Sequence, residues 1–243
     1  MVWRGTGSSI RWRKLLSLAT HVSINSLIFS AGNLMLARSM GPTNRGEYTK
    51  LTLVSFVIAL CAEMGATSSA THFSALGNVS RTSILKKVIR RQVIFATLFG
   101  FPTIVLLGLL NYFSIRETAI LLLNLSIMSV TTGPSHIIQG LNLDIWKRLQ
   151  LLQAMFYIPI FVFCYVSHSS PVTVFFILSI SYLIPNGVAL VEVRNSDRST
   201  GLHHDLDNLK FVQYSRINWL WTLASQLSAK SDLLLISFFI SAS

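Results

Sequence analysis

Apolar runs about as long as a bilayer is thick recur from one end of this chain to the other, and they leave few folds open. A helix needs about 20 mostly apolar residues to cross the hydrocarbon. Seven segments meet or approach that length, at residues 15–37, 48–73, 93–110, 119–139, 151–166, 172–191 and 217–240. The fifth is short and the seventh carries charges. None alternates with a period of two, which argues against a β-barrel. Only 12% of the 243 residues are charged and 51% are hydrophobic, whereas soluble domains carry about 25% charged residues. The expected fold class is an all-α integral membrane protein, a polytopic helical bundle. The basic start followed by an apolar stretch resembles a signal peptide in outline. The stretch is too long for that and reads as a retained first span.

Charge in the gaps sets the orientation. On one side fall Arg4, Arg11, Arg13, Lys14, Arg81, Lys86, Lys87, Arg90, Arg91, Lys147, Arg148, Arg194, Arg198, Lys210 and Arg216, fifteen in all. On the other fall four: Arg38, Arg45, Lys50 and Arg116. Lys230 lies inside the last span. The positive-inside rule therefore places the N-terminus in the cytoplasm. Trp3, Trp12, Trp146, Trp219 and Trp221 all fall at the same face, where indole favours the headgroup level. The net charge of +11 is explained by topology. It is confined to gaps and not interleaved with exposed aromatics, so no nucleic-acid partner is expected.

The expected outer loops, 38–47, 111–117 and 167–171, are too short to hold a domain. The longest inner connection, 192–215, is polar and rich in turn formers, and reads as a cytoplasmic linker. His203, His204, Asp205 and Asp207 lie there without a further ligand cluster, so a solvated loop is expected and no metal. Cys61 and Cys164 sit in apolar runs as small hydrophobes. No Walker loop, GxSxG elbow, HExxH pair or CxxC is present, so neither direct ATP use nor enzymatic activity is expected.

Polar groups inside spans are the functional clues, because hydrocarbon penalises them. His21, Asn25 and Gly32 fall within about 40° of one another on a helix, with Asn33 off that stripe. Glu63, Thr67 and Ser74 share a face, and His72 lies opposite Glu63. Asn124, Thr131, Ser135 and Gln139 line up similarly. Gln226 and Lys230 are one turn apart, with Asp232 two residues on. Ser, Thr, Asn and Gly stripes commonly serve as helix–helix glue. Lone carboxylates such as Glu63 and Asp232 are expensive glue and point to function. Pro102, Pro134, Pro159 and Pro185 are expected to kink their spans.

Two segments carry a family resemblance. The first, LARSMGPTNRGEYTKLTLVSFVIALCAEMGATSSATHFSAL at 36–76, places Leu36, Ala37, Arg38, Gly41, Pro42, Gly46 and Tyr48 at the end of one helix and the start of the next. Glu63 and Gly65 follow, with His72 where arginine is common. The second, IIQGLNLDIWKRLQLLQ at 137–153, contains Gln139, Gly140 and a basic turn. Both resemble Wzx-type polysaccharide flippases of the multidrug/oligosaccharidyl-lipid/polysaccharide exporter superfamily. LSAKSDLLLISFF is similar to the helix that opens that family's second lobe, with Asp232 at its acidic position. An internal echo pairs SAGNLMLA at 30–37 with AKSDLLLI at 229–236, as a parallel repeat would.

The resemblance implies a domain plan and a task. Residues 1–14 would be a basic cytoplasmic N-terminus, 15–193 a six-helix transmembrane lobe, 194–215 a cytoplasmic linker, and 216–243 the first helix of a truncated second lobe. Two lobes would enclose a cavity open alternately to each side of the bacterial cytoplasmic membrane. The substrate would be a polyprenyl-diphosphate-linked oligosaccharide. No cofactor is implied beyond coupling to protons or sodium. Membrane lipids and other polysaccharide-assembly membrane proteins would be partners. His21, Asn25, His72, Asn124, Gln139 and Lys230 are the candidates for the substrate, and Glu63 and Asp232 for ion coupling. Three alternatives stand beside this reading: a multidrug or cation antiporter of the same superfamily, a membrane-embedded glycan transferase or polymerase, and an inactive fragment.

Overall fold

Short polar side chains just ahead of apolar runs fix where several helices begin. Ser80, Ser114, Asn142 and Ser170 each accept a backbone N–H from the first turn that follows them. At Ser114 the bond is reciprocal, because Glu117 reaches back to the Ser114 N–H and closes a capping box. The computed structural model describes the backbone of residues 8–77, 79–200 and 206–240. Among these residues there is no strand, as the apolar pattern predicts.

The helices are α1 (Ser8–Glu63), α2 (Ala66–Leu76), α3 (Arg81–Phe95), α4 (Phe101–Leu109), α5 (Ile115–Leu141), α6 (Leu143–Val166), α7 (Pro171–Ser181), α8 (Leu183–Thr200) and α9 (Asn208–Ile240). A π turn, Ala96–Gly100, joins α3 to α4. Pro102 accounts for it. Proline lacks the N–H that would bond Leu98, and the ladder shifts register so that Phe101 N–H reaches Ala96 O. Just after Pro185 the Asn186 side chain donates to Tyr182 O at 2.8 Å.

Four described stretches are long and apolar enough to cross a membrane: Arg81–Leu109, Ile115–Leu141, Leu143–Val166 and Pro171–Asp197. Ala19–Glu63 and Ala66–Leu76, bent by 52° at their junction, add a broken fifth. The outside of the bundle is apolar, with Leu27, Leu98, Met155, Phe163 and Ile217 all exposed. A water-soluble protein does not display apolar surface on this scale.

Three sequence expectations change. The outer loop foreseen at 38–47 is helical, and α1 runs through it with one kink. Gly41 alone leaves helical geometry, at φ 71°, and Pro42 starts the next segment with a φ suited to a helix. The basic stretch from Arg81 to Arg91 is the first part of α3, not a connection. The inner linker is shorter than 192–215, since α8 extends to Thr200 and α9 starts at Asn208. His203, His204 and Asp205 lie outside the described residues.

Packing divides into three apolar clusters. One gathers Phe73, Ile84, Val88, Ile137, Ala189 and Phe211, and a second Leu51, Ile58, Ile104, Leu121, Leu125 and Phe175. The third joins Leu36 and Met40 to Tyr157, Phe161 and Val174. Asp197 ties α8 to the start of α3. It accepts the backbone N–H groups of Arg81 and Thr82 at 2.8 Å and the Ser80 hydroxyl at 2.9 Å. The Arg81 guanidinium also donates to Ser196 O at 2.9 Å.

A polar cavity beside a broken helix

The helix carrying Glu63 stops at that residue. Met64 and Gly65 take positive φ values of 44° and 71°, and α2 starts again at Ala66. A left-handed methionine is strained, so the surrounding packing must hold the break open. Gly65 supplies part of that packing. A Cβ there would strike the Ser215 carbonyl of α9, so only glycine allows the approach. Two hydrogen bonds fasten α9 to the same place. Ser69 and Ser215 share one at 2.6 Å, and Trp219 Nε1–H donates to Leu60 O at 3.2 Å. A helix end leaves its last carbonyls without intrahelical donors, and the indole takes one of them.

The break borders a cavity of about 740 Å³ between α1, α3, α5, α6, α7 and α8. That volume lies in the range of about 300–1,000 Å³ usual for ligand sites. Its polar wall includes Glu63, Gln92, Asn124, Thr132, His136 and Gln153. Its apolar wall mixes aliphatic and aromatic side chains, with Phe29, Tyr48, Phe56, Tyr157 and Phe175 among the aromatic ones. Thr67 donates to Glu63 Oε2 at 3.2 Å across the break. No Glu63 ion pair is found among the described residues.

A second cavity of about 280 Å³ adjoins the first, since Phe29 and Gln150 line both. It holds His21, Asn25, Trp146 and Lys147. Asn25 Nδ2 donates to Gln150 Oε1 at 3.4 Å, and His21 Nδ1 lies 2.8 Å from Ser17 O. Lys147 is 5% exposed and bonds Ser17 Oγ at 3.1 Å and Asp144 Oδ1 at 3.2 Å.

The candidates therefore separate. Glu63 and Asn124 face the large cavity, and His21 and Asn25 face the small one. Asn124 also works as glue, accepting from Ser55 Oγ at 2.9 Å and donating to Ser179 Oγ, which links three helices. His72 is not at either cavity. It stacks on Tyr214 of α9 with centroids 4.1 Å apart. Gln139 is likewise outside the cavities, accepting from Thr71 at 3.4 Å where α2 meets α5. Lys230 and Asp232 lie in α9, but outside the residues whose side chains are described.

Sequence reasoning missed Gln92, Thr132 and His136. Gln92 hides behind the basic run that precedes it and reads as part of a loop. His136 lies between Ser135 and Gln139 in the fourth run, where the rule about ionisable residues in membranes should have found it. Asn33 falls off the stripe of His21, Asn25 and Gly32, yet it lines the large cavity. No group of three or more potential metal ligands occurs among the described residues. Comparison with protein-family models, with curated proteins and with solved structures finds no match.

Proposed function

We propose that the chain acts in the secondary transport of polyprenyl-diphosphate-linked oligosaccharide across the bacterial cytoplasmic membrane, with its N-terminus in the cytoplasm. The observation that carries this is the cavity between apolar helices, one wall of which carries polar side chains, bordered by the break after Glu63. Sugar hydroxyls need such partners. Gln153 and Asn186 line the cavity with amide groups, each of which already donates once within the bundle. A diphosphate needs cations at the rim. Arg45 lines the large cavity, and Lys147, buried and paired with Asp144, lines the small one. His21 and Asn25 would assist Lys147, while the lipid tail stays in hydrocarbon.

Broken helices at a cavity are how transporters expose backbone groups to a polar substrate or ion without lipid contact. Ion coupling through Glu63 follows from this placement. A strain lacking its glycan flippase provides the test. The chain should restore surface glycan, and Glu63→Gln at equal membrane level should not. Normal export by Glu63→Gln would remove the carboxylate from the cycle.

A second reading has its own observation. Aromatic walls around a single carboxylate also suit an organic cation, held by cation–π contact and charge. Ethidium efflux by cells making the chain, without glycan export, would favour that reading.

A further inference from the structure

We infer that Arg91 of α3 and Arg216 of α9 form a binding site for the phosphate of an anionic phospholipid, at the membrane face that carries most of the basic residues. Both arginines hold the same place in their helices. The apolar run 93–110 starts just after Arg91, and the run 217–240 starts just after Arg216. Each guanidinium therefore stands where hydrocarbon gives way to headgroups, the depth of lipid phosphate. The fold brings the two helices together. Val88, one turn before Arg91, and Phe211, shortly before Arg216, belong to the same apolar cluster as Phe73 of α2.

Two observations point to an anion between them. The first is Arg91. It is 8% exposed, and its Nε has no hydrogen-bond partner among the described residues. Phe95 covers one side, with its ring centroid 5.5 Å from the guanidinium carbon. A ring face attracts the cation but is a weak acceptor for its N–H groups. The second is Arg216. It is exposed, and its charge lies close enough to that of Arg91 for the two to repel. Neither arginine has an ion pair among the described residues. An enclosed donor left unpaired is costly, and so is a like-charged neighbour. One anion held by both removes the two costs together.

The surroundings select the ligand. A guanidinium fork matches the oxygens of a phosphate bidentately, and two forks can grip one phosphate from two sides. On the hydrocarbon side of the pair both helices are apolar at the surface. Val93 and Ile94 of α3 and Ile217, Leu220 and Trp221 of α9 are exposed there. Acyl chains can lie on that surface, and a free anion makes no use of it. Basic pockets between helices at the cytoplasmic face hold anionic headgroups in this way. Neither arginine lines either cavity. A lipid here would tie α3 to α9, the helix that presses on Gly65 at the break. The site is separate from the transport reading and stands or falls without it.

Thermal unfolding of the purified, delipidated chain in detergent, followed by tryptophan fluorescence, tests it. The chain is titrated with phosphatidylglycerol, with phosphatidylcholine of the same acyl chains, and with inorganic phosphate, all at constant ionic strength. Phosphatidylglycerol should raise the midpoint saturably, and the other two should do so far less. Apparent affinity for phosphatidylglycerol should fall about ten- to a hundredfold in Arg91→Gln and in Arg216→Gln, the scale of losing charge-assisted hydrogen bonds. Arg194→Gln, which removes an exposed charge from α8, should leave the titration unchanged. Where Arg91→Gln does not fold, the exposed Arg216→Gln decides. An equal response to phosphatidylcholine would overturn the assignment to an anionic lipid, and an equal response to inorganic phosphate would overturn it in favour of a free anion. An unchanged titration in Arg216→Gln would remove the site. A loss in Arg194→Gln as large as that in Arg216→Gln would also remove it, by showing diffuse attraction to the whole basic face.

Discussion

Single residues in this protein divide by whether their polar atoms are consumed locally. Asp197 is fully engaged at the start of α3, where it takes two backbone N–H groups and a hydroxyl. Replacing it with alanine should lower stability by about 1–2 kcal/mol, the usual cost of losing a helix cap with charge-assisted bonds. Thermal unfolding in detergent checks this, and an unchanged midpoint would show the clamp to be dispensable. Glu63 was legible in the sequence because a carboxylate in an apolar run stands out. Gln92 was not, because three-dimensional context alone separates a buried amide from the arginines before it. His72 looked like a cavity residue from its motif position, yet the ring is spent on Tyr214. A motif fixes an alignment position, and the packing of a neighbouring helix decides which way that side chain faces.

Elements show the same split between what length reveals and what contact decides. Apolar run length foresaw four helices long and apolar enough to cross a bilayer, while the expected spans 15–37 and 48–73 fall in one bent pair, α1 and α2. The kink at Gly41 defeated that reasoning. Gly-Pro flanked by polar residues reads as a loop, but a single left-handed glycine followed by proline lets helix resume at once. The break at Met64 and Gly65 was equally hidden, since it depends on α9 pressing against Gly65. Gly65→Ala should cost about 1–2 kcal/mol for the left-handed backbone alone, with the clash against Ser215 adding to it. The position of α9 can be read directly. With Cys61 and Cys164 replaced by serine, Ser69→Cys and Ser215→Cys should form a disulfide on mild oxidation, because their hydroxyls lie 2.6 Å apart. Adding Gly65→Ala should slow that reaction. Failure of the pair to cross-link would displace α9 from the break.

At the scale of the whole molecule, basic residues and tryptophans predict an orientation that the helices alone do not. In the same cysteine-free background, Arg116→Cys should react with a membrane-impermeant maleimide in intact cells, and Arg148→Cys only after the membrane is opened. The reverse pattern would invert the topology. The cavity itself was only partly legible. The polar stripes gave Glu63 and Asn124 as candidates, but their convergence with Gln92, His136 and the α6 amides needed the bundle. The claim that matters most is that this cavity holds the substrate's head group. Met128 lines it, while Ile158 of α6 is exposed on the outside of the bundle and is not part of its wall. Without native cysteines, Met128→Cys should be modified by a charged methanethiosulfonate reagent, and polyprenyl-diphosphate-linked oligosaccharide should slow that modification. Ile158→Cys should be unaffected by the saccharide. A Met128→Cys reaction that the lipid-linked saccharide leaves unchanged would contradict the assignment of the cavity as the transport site.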